Sequence, residues 1–88
     1  MVQVPADWLA WVFLTLRRGA SDGAQAVAAE LQPFTEKPGQ RVPLPRPTVL
    51  RAELALRREA EIAREQGRRA ELSDQAEYLV KFRLEACG

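Results

Sequence analysis

Five of the chain's six prolines fall between Pro33 and Pro47. Proline lacks a backbone N–H, and its ring clashes with the preceding turn, so no regular helix is expected through this stretch. The connector thereby divides 88 residues into two helix-forming parts of one small domain. Its densest portion, "RVPLPRP" (Arg41 to Pro47), is expected to be stiff and extended. At about 3.1 Å per residue it could run roughly 20 Å along a small bundle. No two of its prolines are three residues apart, the spacing that polyproline-binding domains usually read. The segment therefore reads as a spacer that holds Arg41, Val42, Leu44 and Arg46 on an exposed edge.

Before the connector, "VPADWLAWVFLTLRRG" predicts a first helix, with Asp7 at its positive end and Arg17 and Arg18 at its negative end. Gly19 is expected to stop it in a left-handed conformation. Leu9, Val12, Phe13 and Leu16 make one face, while Trp8, Trp11 and Leu14 spread around the sides. A helix apolar nearly all round needs cover on more than one side. A chain this short buries only about 60–65% of its unfolded surface. Either this is simply the central core helix, or Trp8 or Trp11 sits at an interface with a partner or a second copy. "SDGAQAVAAELQPF" predicts a second helix, capped by Ser21 or Asp22 and ending at Gln32 before Pro33. Its inner face is Ala24, Val27, Ala28 and Leu31.

After the connector, "TVLRAELALRREAEIAREQGRRAEL" predicts one long helix, with Gly67 as its end or weak point. Ala52, Ala55, Leu56, Ile62, Ala63 and Ala70 line one face. Glu53–Arg57, Arg57–Glu61 and Glu65–Arg69 have the spacing of surface charge pairs. The last segment, "SDQAEYLVKFRLEACG", fits two patterns. Asp74 and Glu77 have capping-box spacing, and Leu79, Phe82 and Ala86 share a helical face. Tyr78, Val80, Phe82 and Leu84 also alternate as in a strand, which "MVQVP" could pair with. The helical pattern is favoured. The expected fold is an all-α bundle of three to four helices with a central connector at 33–47. The alternative is an α+β domain with a small strand pair from the two termini.

The residue inventory narrows the chemistry. There is no histidine and one cysteine, Cys87, which removes the usual zinc constellations, the histidine-based nucleophile pairs and any intrachain disulfide. Nearly all the carboxylates are expected in charge-paired helical surface, and "GASDG" lacks the lysine of a phosphate loop. No enzyme, cofactor or metal is expected. "WLAWVFLTL" falls well short of the ~20 apolar residues that span a bilayer, and a reducing, cytoplasmic setting is the expected compartment. Net charge is +1, so no strong general field draws nucleic acid or membrane.

Locally, "GAQAVAAEL" followed by "PRPTVLRAELALRREAEIAREQG" resembles the paired helices of bacterial winged-helix regulators. There an alanine-rich helix precedes one that opens Arg-Pro-Thr-Val. The resemblance implies a DNA-binding alternative in which Arg41, Arg46, Thr48 and Arg51 meet bases or phosphates, with "YLVKFRL" as a wing. It departs in the connection, since Gln32 to Arg46 is 15 residues where a helix-turn-helix has about three or four. The leading expectation is a small regulatory or adaptor protein, of a kind that GC-rich bacterial and phage genomes encode. It would act by binding another protein, or itself as a homodimer, through Trp8, Trp11, Arg41, Val42, Leu44 and Arg46.

Overall fold

The structure, a computed structural model, describes residues 1–87. It contains β1 (Val2–Pro5), α1 (Ala6–Arg17), α2 (Asp22–Thr35), β2 (Arg41–Leu44), α3 (Arg46–Ile62) and α4 (Gln66–Cys87). The fold is a four-helix bundle carrying a two-stranded antiparallel sheet. Among the described residues no helix is long and apolar enough to cross a membrane.

The connector is not a free spacer. It divides into the last turn of α2, a turn, strand β2 and the start of α3. Pro33 sits inside α2, where it removes one hydrogen bond, to the carbonyl of Ala29 on the exposed side. Gly39, at φ 113°, turns the chain into β2 in a conformation that side chains resist. β2 pairs with the N-terminal strand in the register Val2↔Leu44, Gln3↔Pro43, Val4↔Val42 and Pro5↔Arg41. Strand alternation then sends Val2, Val4, Val42 and Leu44 inward, each at most 2% exposed. The strand pair of the α+β alternative therefore exists, but its second strand is the connector. Residues 73–87 are all in α4, which settles the helix-or-strand ambiguity of residues 74–86. Cys87 closes α4, and Gly88 lies outside the described residues.

The inner faces of α1 and α2 are those the periodicity predicts. Leu9, Val12 and Leu16 are buried on α1, and Ala24, Val27, Ala28 and Leu31 on α2. Ser21 caps α2 by accepting from the Ala24 N–H at 3.1 Å. Gln25 donates to the carbonyls of Arg17 and Gly19, both at 2.8 Å, which satisfies orphan acceptors at the end of α1. Gly19 is not left-handed. Its role is close approach: a Cβ there would stand 2.3 Å from Glu59 Oε1 and 2.7 Å from the Ala24 Cβ.

The predicted long helix is broken. α3 stops at Ile62, Ala63 is extended (φ −70°, ψ 131°), and α4 starts at Gln66. Arg69 donates to the Ala63 carbonyl at 2.7 Å, holding the corner. The break precedes Gly67 and lets α4 fold back on α3, the most extensive helix pairing in the molecule. Ile62 and Ala70, expected on the inner face, are exposed as a result.

Two carboxylates expected on the surface are instead buried on α3. Glu53 accepts from Arg83 of α4 at 2.8 Å. Glu59 accepts from both the N–H and the hydroxyl of Ser21 at 3.0 Å. These clasps join α3 to α4 and to the start of α2, and the cost of burying each charge is offset only by such bonds.

Candidate protein-binding surface

α1 and α4 meet through large side chains. Trp8 lies edge-to-face with Trp11, ring centroids 4.8 Å apart, and tilted against Tyr78 at 4.4 Å. Phe82 closes the group at 6.4 Å from Trp8 and 6.3 Å from Tyr78. Such geometries are favoured by the ring quadrupoles. Trp8 and Phe82 are half-buried against the core. Trp11 and Tyr78 stay 37% and 46% exposed, and Leu14, one turn beyond Trp11, is 46% exposed.

Polar groups line the same seam. The Trp11 indole N–H donates to Glu71 at 3.0 Å. Gln75, fully buried, donates to the Thr15 hydroxyl at 3.0 Å, which places its amide between α1 and α4. The Gln75 Oε1 and the Trp8 indole nitrogen are buried with no hydrogen-bond partner among the described residues. Turning the Gln75 amide over would leave its nitrogen unpaired instead, so one amide atom is unsatisfied in either orientation. Outside the aromatic rings, α4 presents a shallow depression lined by Asp74, Glu77, Tyr78 and Lys81.

The residues expected from sequence separate into four groups. Trp8 and Trp11 come together in this seam. Arg41 is exposed and shares a small depression with Phe82, Gln3 and Glu85, at the far end of the same face. Val42 and Leu44, expected on an exposed edge, are core residues at 1% exposure, because strand pairing turns them inward. Arg46 is exposed at the start of α3, apart from the aromatics.

Two residues of the DNA-binding alternative are otherwise engaged. Thr48 is buried and donates to Glu30 at 2.8 Å. Arg51 grips the same carboxylate through Nε at 2.9 Å and through Nη2. That hydrogen-bonded guanidinium holds the Glu30 carboxyl below its ordinary range, and Glu30 in turn raises Arg51. An incoming phosphate would have to displace Glu30 to use either residue.

Tyr78, Phe82 and Glu71 belong to the surface, and Gln75 is buried behind it, but none was singled out from sequence as a site residue. The signal was present in Tyr78 and Phe82, which stand i,i+4 on a helix and meet there. It was obscured because the same residues alternate like a strand.

No family model, no curated protein and no solved structure matches this chain.

Proposed function

We propose that the protein is a small non-enzymatic regulator or adaptor that binds another protein through the α1/α4 seam. One observation carries this reading: an aromatic cluster is anchored by Trp8 and Phe82, half-buried against the core, yet leaves Trp11 and Tyr78 open to solvent. Interface centres favour such residues, since Trp and Tyr offer large contact area with few rotatable bonds. Two polar atoms of the seam, the Trp8 indole nitrogen and the Gln75 Oε1, are buried without a hydrogen-bond partner among the described residues, which is compatible with a surface completed by a partner. The residue inventory supports a binding role over catalysis, with neither a histidine nor a second cysteine to activate.

The reading is tested by quantitative affinity capture from cells of the source organism, comparing the wild type with a Trp11→Ala/Tyr78→Ala variant. Circular dichroism establishes that the variant keeps its helix content. A partner enriched by the wild type is expected to be lost or reduced at least about tenfold in the variant, as truncation of two central aromatics implies. Equal recovery by both proteins overturns the proposal.

A further inference from the structure

The charges around the seam specify what sits on it. Glu71, Asp74, Glu77, Tyr78 and Lys81 recur at helical spacing along the outer side of α4. Three carboxylates against one ammonium give this strip a net charge of −2, in a chain whose total is +1. Glu71 is bonded to Trp11, and Asp74 and Glu77 line the depression beside Tyr78. None of the three forms an ion pair among the described residues. Exposed aromatic faces bordered by carboxylates attract a guanidinium or ammonium twice over: by the ring quadrupole and by the charge. Independently of the charges, the Gln75 amide on the α1 side of α4 is buried with one polar atom unpaired among the described residues.

Resting on the seam as the interaction surface, we propose that its occupant is a basic amphipathic segment of a partner protein. An arginine or lysine of that segment lies over Tyr78 and Trp11, its charge held between Glu71, Asp74 and Glu77, with apolar neighbours against Leu14 and the ring edges. The same charges repel phosphate-rich partners, so this face does not serve nucleic acid or an anionic membrane.

The test uses the intact protein and a phage-displayed library of random linear peptides. Binders are selected on the wild type and sorted by whether they are lost on the Trp11→Ala/Tyr78→Ala variant. Seam-dependent binders are expected to carry a clear excess of Arg and Lys over Asp and Glu. Synthetic copies of them should weaken with added salt and lose about tenfold in affinity for a Glu71→Gln/Asp74→Asn/Glu77→Gln variant, as three exposed charge pairs imply. Glutamine at 71 keeps an acceptor for Trp11, so the fold is preserved, and thermal unfolding checks it. Seam-dependent binders of neutral or acidic composition, or unchanged affinity for the charge variant, overturn the basic-segment proposal while leaving the seam as a binding surface. Recovery of no seam-dependent binder removes both. Concentration-dependent self-association abolished by the charge variant would make the occupant a second copy, and overturns the proposal of a separate partner.

Discussion

Single side chains in this molecule do work that their position in the sequence conceals. Glu30 sits in an alanine-rich helix and looks like surface charge, yet it collects the Thr48 hydroxyl and the Arg51 guanidinium across the α2/α3 boundary. Because Arg51 lowers its pKa, Glu30 binds protons more weakly in the folded chain than in the unfolded one. Its contribution is therefore complete above the ordinary carboxylate range and is lost as pH falls through its lowered folded value. Glu30→Gln should accordingly be less stable than the wild type at neutral pH. The gap in melting temperature should be small, as for a partly exposed pair, and should close as pH falls below about 4. Melting curves across a pH series check this. A gap that is constant with pH would mean that the carboxylate charge contributes nothing.

Pairs of elements are held by a few buried polar bonds laid over apolar contact, and the α3/α4 corner is the clearest case. Glu53 is almost fully buried, and Arg83 supplies its charge partner from the other helix at 2.8 Å. Removing the arginine leaves a buried carboxylate without its counter-ion, which costs about 3–5 kcal/mol in comparable sites. Replacing both partners by apolar side chains costs far less. Arg83→Met should thus destabilise the protein strongly in urea, and adding Glu53→Leu should recover much of the loss. A double variant no more stable than the single would show that packing, not the stranded charge, dominates. This pair also marks the limit of what the sequence discloses. Glu53 and Arg57 have ideal spacing for a local pair, but local spacing does not reveal that the chain reverses at Ala63, where neither glycine nor proline stands. Helix faces on α1 and α2 were legible because their periodicity is local. Strand β2 was not: Val42 and Leu44 alternate with Pro43, as a strand requires, but the residues that pair with them lie some 40 positions earlier. Proline suggested a free extended segment, whereas a two-stranded sheet has only edge strands, where proline is tolerated. For the candidate surface, Trp8 and Trp11 were legible as an apolar excess on a short chain. Their partners on α4 were not, because ring contacts between helices follow from the reversal at Ala63.

The whole molecule is closed by joining its beginning to its middle. Its radius of gyration of 12.1 Å matches the roughly 12 Å expected for a compact chain of this length. All four helices and both strands contribute to one apolar cluster, which predicts a single cooperative unfolding transition. An isolated strand pair is marginal in water, so β1 and β2 persist only because Val2, Val4, Val42 and Leu44 are covered by helices. Equally, stripping β1 away would uncover Val42 and Leu44. Val4 faces Val42 directly across the sheet, and both are fully buried. Val4→Ala removes two methyl groups and leaves a cavity that a dense small core closes poorly, a loss of about 2–3 kcal/mol. For a domain of this size that lowers the melting temperature by roughly 10 °C or more. The loss should reach the helices as well. Tryptophan fluorescence, which reports the α1/α4 seam, and far-UV circular dichroism, which reports all four helices, should shift together and keep coincident midpoints. Val42→Ala should act on the same pair, so the double variant should cost less than the sum of the two singles. Separated midpoints in Val4→Ala would instead mean that the sheet is an appendage and that the interaction surface folds without it.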